Sequence, residues 1–230
     1  MHQFDDYDWW DQQGALWTLH AINPIRLDFI NRHIQLAGAE VLDLGCGGGI
    51  LSENLALCGA QVTGIDLNQQ AVTQARAHQQ QYQETYQEKL HLHYAVMDIT
   101  AYQANNPNKT FAAITCMEML EHVERPQAVI QSCAALLKPG GLLFLSTLNR
   151  HIKSYLSAVI AGEYIFHILP RGTHDYTKFM RPDELDDYCC KAKLRIRDMQ
   201  GMRYNPFTRT FRKSQNITVN YMLVAEKAAS

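Results

Sequence analysis

The sequence has no run of five or more basic residues, no Cys-x-x-Cys pair and no stretch of eighteen uncharged apolar residues. The first absence, with a net charge of −2 and a pI near 6.5, argues against nucleic acid as the main partner. The second argues against a secreted disulfide framework. Several of the six cysteines (Cys46, Cys58, Cys116, Cys133, Cys189, Cys190) sit inside apolar runs, where a thiol acts as a small hydrophobe in a reducing compartment. The N-terminal stretch "MHQFDDYDWWDQQ" lacks the positive charge and apolar core of a signal peptide, so a cytoplasmic location is expected. The third absence argues against a spanning helix. The nearest candidate, "HIKSYLSAVIAGEYIFHILP" (151–170), is interrupted by Lys153, Glu163 and His167 and ended by Pro170.

What is present points to a packed core. Apolar residues make up 47% of 230, enough for a single domain with an added lid. Residues 1–38 read as a helical region, broken at Asn23-Pro24. Apolar strands are expected at 40–45, 61–66, 90–98, 111–117 and 142–148, with helices at 50–59, 68–88 and 126–137 and a turn at "KPGG" (138–141). This alternation predicts parallel βαβ units with helices on both faces. The tail reads as a helix (182–192) and two strands (194–205 and 216–227) with no helix between them, hence an antiparallel hairpin at one sheet edge.

Four glycines fill five positions in "VLDLGCGGGI", directly after the first strand. A dinucleotide fingerprint needs G-x-G-x-x-G, and Ile50 or Ser52 stands where its third small residue belongs. The pattern is instead D-x-G-x-G-x-G, over Asp43, Gly45, Gly47 and Gly49. Such a loop lets backbone approach a ligand at the carboxyl end of the first strand, beside a helix N-terminus. Asp66 ends the second strand, where its carboxylate can accept two hydrogen bonds from a ribose diol.

This order resembles the class I S-adenosylmethionine-dependent methyltransferases: "VLDLGCGGG" their first motif, "VTGIDL" their acidic loop, "AVMD" the acid facing the adenine, and "LLKPGGLLFLST" a later strand motif. Further stretches resemble the ubiquinone biosynthesis O-methyltransferases, the UbiG family: "HAINPIRLDFI", "TCMEMLEHVERPQAV", "STLNRHIKSYLSAVIAGEYI", "LPRGTHDYTKFMRPDEL" and "YNPFTRTF". The resemblance implies a seven-stranded, Rossmann-like class I methyltransferase fold. It also implies O-methylation of ring hydroxyls on polyprenylated phenols and catechols of the 2-polyprenyl-6-hydroxyphenol and 3-demethylubiquinol types. A soluble small-molecule acceptor, or a non-catalytic S-adenosylmethionine-binding role, are the rival readings. The family's cofactor contacts fall on Arg26, Gly45, Asp66 and Met117.

If residues 118–122 turn helically, Glu118, Glu121 and His122 share one face and could hold a divalent cation. The other reading is two solvated glutamates and a capped histidine. The resemblance to magnesium-binding relatives favours the metal, Mg²⁺ or another divalent cation. His122, or alternatively His174, is the candidate general base. A water-insoluble acceptor implies partners at the surface of the inner membrane and among other ubiquinone biosynthesis proteins. The insertion at 150–178, with Arg150, Lys153, Arg171 and Lys178 beside its apolar stretch, is expected to be a lid or a membrane-docking segment.

Overall fold

The computed structural model describes residues 7–150, 179–205 and 207–229. The lid or docking insertion, with His174, Lys153, Arg171 and Lys178, lies outside them. The chain divides into two compact units, residues 1–115 and 116–230.

In the first unit the strands are β1 (Glu40–Leu44), β2 (Gln61–Asp66), β3 (Leu92–Val96) and β4 (Phe111–Met117), whose last two residues belong to the second unit. They pair in the order β3-β2-β1-β4, all parallel. Helices α1 (Trp17–Asn31), α2 (Ile50–Leu57), α3 (Gln69–Tyr86) and α4 (Ile99–Asn105) accompany them. The apolar runs end up inside, as strands covered on both faces require: Val41, Leu42, Ile65 and Ile114 are fully or almost fully buried, with Phe29 and Leu55 from the helices. The chain runs β1 to β2 to β3 in one direction and then returns to the other side of β1. That reversal opens a crevice at the carboxyl end of β1.

The N-terminal region is shorter in helix than expected. Among the described residues only Trp17–Asn31 is helical, and Asn23-Pro24 does not break it: Pro24 lies inside α1. The proline removes one backbone donor there. Next to it, the Asn23 side-chain amide donates to the Ile50 carbonyl at 3.2 Å and ties α1 to the start of α2. Helix α4 is an addition to the sequence reading. Asp98, expected from the resemblance to face an adenine, caps it by accepting from the Ala101 amide at 2.8 Å.

In the second unit, α5 (Pro126–Leu136) leads directly into β5 (Leu137–Leu148), and α6 (Pro182–Lys191) precedes β6 (Leu194–Asn205), β7 (Thr210–Ser214) and β8 (Asn220–Lys227). The strand order is β5-β8-β6-β7, with antiparallel pairs throughout. The "KPGG" turn is absorbed into β5, where Gly140 takes a left-handed φ of 74° that bends the chain without ending the strand. The expected hairpin is richer by one strand. Strand β7 exposes Thr210, Arg212 and Lys213 and has only one large apolar side chain, Phe211, which is why its sequence reads as loop. Among the described residues the count is therefore eight strands rather than seven. Lys227 on β8 donates to the Ala134 and Leu137 carbonyls, each at 2.7 Å, and satisfies orphan acceptors at the end of α5.

Among the described residues no helix is long and apolar enough to cross a membrane.

Candidate active site

The glycine loop is built by the first unit. Gly47 and Gly49 have φ of 52° and 85°, a region open to glycine and costly for other residues. The Gly45 and Cys46 amides donate to the Ile65 carbonyl at 2.8 and 3.1 Å, which fixes the loop to the end of β2. The next amide, Gly47 N–H, donates to Asp66 Oδ2 at 2.8 Å, while Asp66 Oδ1 accepts from the Asn68 amide at 2.8 Å. Asn68 in turn caps α3 through the Ala71 amide at 2.9 Å. Asp66 is thus both the root of the loop and a candidate ligand acceptor. Each carboxylate oxygen has two acceptor sites and has used one on backbone, so one remains on each for a diol.

Beneath the loop, Asp43 is buried and accepts from the Ser52 hydroxyl at 2.5 Å and the Thr115 hydroxyl at 2.6 Å. Burial raises its pKa above the usual carboxylate value. The Ser52 and Thr115 hydrogen bonds and the nearby Arg26 charge oppose that rise. Asp43 is the positioning residue that the sequence reading passed over as part of the motif. Its signal is the acid that opens D-x-G-x-G-x-G, and the structure sets it opposite Thr115 on β4. Burial, then the Asp43 and Asp66 charges, push the Cys46 thiol well up, so it serves as packing.

Above the loop lies a segment that the sequence reading treated as the start of a helix. A methyl group on Gly47 or Gly48 would collide with the Trp9 ring. Trp10 Nε1 donates to the Gly48 carbonyl at 2.9 Å, and the Trp10 ring stacks on His78 at 3.3 Å. His78 Nδ1 is 2.9 Å from Oε2 of the buried Glu53. Gln74, one turn before His78 on α3, accepts from the Trp9 amide at 3.0 Å and donates to the Tyr7 carbonyl at 2.9 Å. His20 Nε2 reaches the Trp9 carbonyl at 2.8 Å. Residues 7–10 form a strap over the glycine loop. The adjacent pair "WW", two of only three tryptophans in the chain, was the available signal.

The expected cofactor contacts therefore fall as follows. Gly45 and Asp66 come together in the loop frame. Arg26, on α1, is buried, with its charge acting on Asp43. Met117 is the last residue of β4 and is 8% exposed.

In the second unit, the helix expected over 118–122 is only a single 3-10 turn, Leu120–His122. Glu118 precedes it with a left-handed φ of 53°, so the shared helical face for Glu118, Glu121 and His122 does not form. The two carboxylates nevertheless meet. The Ser146 hydroxyl donates to Glu118 at 2.8 Å and the Thr147 hydroxyl to Glu121 at 3.2 Å. Burial first, then the Glu118 charge and a hydrogen bond with Glu118, raise the Glu121 pKa well above the usual range. Among the described residues, no three His, Cys, Asp or Glu side chains are placed to hold a metal ion. Arg150, expected to flank a lipid surface, pairs with Glu184.

A methyltransferase domain model matches residues 3–198. A protein of Azoarcus sp. (strain BH72) named "Ubiquinone biosynthesis O-methyltransferase" is 47% identical over 229 residues, 99% of this chain and 95% of that one. The chain belongs to the ubiquinone biosynthesis O-methyltransferase family. A second member, from Aromatoleum aromaticum, is 48% identical over 222 residues, 96% of this chain and 92% of its own. The fold extends more widely than the family. Magnesium protoporphyrin IX methyltransferase from Synechocystis PCC 6803, solved with bound S-adenosylhomocysteine, superposes with a TM-score of 0.64 at 20% identity, covering 95% of this chain and 87% of that one. The [4+2]-cyclase SpnF superposes equally well (TM-score 0.64, 17% identity, 92% and 82% covered). The expected class I fold is shown by this likeness, which is one of fold alone.

Proposed function

We propose that the chain transfers the methyl group of S-adenosylmethionine to a ring hydroxyl of polyprenylated phenols and catechols in ubiquinone biosynthesis, of the 2-polyprenyl-6-hydroxyphenol and 3-demethylubiquinol types. The observation that carries the donor half is Asp66, which grips the Gly47 amide and keeps one acceptor site on each oxygen for the ribose. The acceptor half is supported by close identity, over nearly the full length, to relatives bearing that name.

In this reading Arg26 meets the donor's carboxylate and Met117 covers its adenine, with Gly45 allowing close approach. A neutral phenol, with a pKa near 10, is a poor nucleophile. His122 takes the phenol proton as the oxygen attacks the sulfonium methyl in line. The O–CH₃ bond forms, the C–S bond breaks, and S-adenosylhomocysteine leaves. Holding the two reactants in that geometry supplies much of the rate.

Glu118 and the buried Glu121 meet as a carboxyl pair, and a divalent cation bound between them would relieve the repulsion that raises the Glu121 pKa. Glu118 and Glu121 would hold it as a pair, which leaves His122 for the phenol proton. Once bound, a cation would lower the pKa of an adjacent phenol. The acceptor's tail places the enzyme at the cytoplasmic surface of the inner membrane, beside other ubiquinone biosynthesis proteins.

The deciding experiment incubates the protein with methyl-labelled S-adenosylmethionine and a demethylated quinol in detergent. Label is expected in the extracted lipid. Unlabelled lipid at every pH and with every cation tried would overturn the proposal.

A further inference from the structure

The stretch "YNPFTRTF" carried part of the resemblance, yet the donor site does not use it. It lies in the β6–β7 hairpin, and β7 is the outermost strand of the second unit's order. Three observations there need a common cause.

The first is charge. Between Asp198 and Glu226 there is no acidic residue, and the cations in that interval are Arg203, Arg209, Arg212 and Lys213. The chain's net −2 minus this +4 leaves −6 on the remaining residues. All four cations are exposed. The second is their register. Arg203 stands directly opposite Arg212 in the antiparallel ladder. Like charges at such a pair lie about 5 Å apart between Cβ atoms and destabilise the hairpin. An anion between them reverses the sign, and guanidinium groups suit phosphate oxygens. The third is apolar. Phe207, at the tip, is 96% exposed, and its amide donates to Asn205 Oδ1 at 3.0 Å, which holds the tip turn in shape. Behind it, the Tyr204 and Phe211 rings pack at a tilt of 43° with centroids 4.8 Å apart.

We infer that the β6–β7 hairpin docks on an anionic lipid bilayer, with Phe207 entering the interface while Arg203, Arg209, Arg212 and Lys213 meet headgroup phosphates. A cationic rim around one aromatic suits a charged, amphipathic surface. An aromatic beside cations also suits single-stranded nucleic acid. Bilayer is favoured because the acceptor proposed above resides in lipid, and the inference rests on that reading to this extent.

The test is flotation of the full chain with vesicles of phosphatidylglycerol and phosphatidylethanolamine, and with vesicles of phosphatidylcholine alone. The variants are Phe207→Ser and the double substitution Arg203→Gln/Arg212→Gln. Wild type should float with the anionic vesicles and release them as salt rises. Each variant should partition on the order of tenfold more weakly, and the triple combination about a hundredfold. Retained binding of S-adenosylhomocysteine shows that the variants are folded. Methylation of a short-tailed soluble acceptor should persist in them while turnover of a vesicle-embedded acceptor falls. Variants that float like wild type would overturn the hairpin's role and leave the acceptor reading standing. So would wild type that ignores anionic vesicles, or that a single-stranded oligonucleotide strips from them at lower concentration than salt predicts. No methylation of either acceptor by wild type defeats the reaction itself, whatever the flotation shows.

Discussion

The Gly47 amide donates to Asp66 Oδ2 at 2.8 Å while the Asn68 amide donates to Oδ1, so one carboxylate joins the glycine loop to the start of α3. Asp66→Ala removes the loop's latch, the Asn68 contact and the proposed ribose acceptor at once. Hydrogen bonds to a charged group contribute about 1.5–3 kcal/mol each. S-adenosylhomocysteine affinity should therefore fall by on the order of a hundredfold or more, read by calorimetry. Asp66→Asn should recover little, because its amide group must turn a donor toward the Gly47 or the Asn68 N–H. An affinity within threefold of wild type for Asp66→Ala would remove Asp66 from the donor site.

Gly48 takes no left-handed φ, so Gly48→Ala tests the strap without backbone strain. The added methyl collides with Trp9, and the strap must lift. All three tryptophans lie at 9, 10 and 17, so intrinsic fluorescence reports on this region. Gly48→Ala should red-shift the emission as Trp9 and Trp10 lose their packing, and S-adenosylhomocysteine should change the emission of wild type more than that of the variant. Identical spectra would show that the strap does not rest on the loop.

The raised pKa of Asp43 gives stability a pH dependence of definite sign. A buried acid whose folded pKa lies above its unfolded value contributes stability that is full below the unfolded value, ordinarily 3.8, and is lost as pH rises through the folded one. Asp43→Asn does not titrate. Denaturant unfolding of both proteins should show wild type losing ground to the variant as pH is raised above about 4. Asp43→Ala should cost about 1–3 kcal/mol at any pH, since it orphans the Ser52 and Thr115 hydroxyls. A gap between wild type and Asp43→Asn that widens in wild type's favour with pH would contradict the assignment.

Removal of divalent cations by a chelator should lower methyl transfer while S-adenosylhomocysteine binding holds. Glu118→Gln should behave in the same way, because it breaks the carboxylate pair with Glu121. Turnover unaffected by both treatments would leave the Glu118 and Glu121 pair without a metal role.

The cysteines should differ sharply toward iodoacetamide. Cys190 is exposed, and Cys46, Cys116, Cys133 and Cys189 are buried. Burial pushes the Cys189 thiol up to about 12 and that of Cys46 well above its usual value. Mass spectrometry of the native protein should find Cys190 alkylated first, with the four buried thiols intact. Early modification of Cys46 would mean that the loop opens far more than its hydrogen bonds allow.

The strand–loop–helix–strand frame from Glu40 to Asp66 was legible because its causes are local. The apolar run must be buried, the left-handed positions at Gly47 and Gly49 need glycine, and an acid at a strand end falls at the crevice by topology. The same locality misled elsewhere. Pro24 reads as a helix break, "KPGG" as a turn and Thr210–Ser214 as loop, yet tertiary partners override each preference: Asn23 anchored on Ile50, a strand continued through Gly140, and a ladder along β6. Glu118, Glu121 and His122 suggested a helical face by spacing, and the left-handed turn at Glu118 removed it.

From its own residues the chain determined the glycine loop after β1 and the acid that ends β2, since hydrophobic period, glycine conformation and chain direction act within a few residues. Only the tertiary structure decided what touches that loop. Trp9 lies across Gly47 and Gly48, and Asp43 shares Ser52 and Thr115. Those pairs are separated by 9 to 72 residues, and no local preference encodes a contact that packing alone brings about.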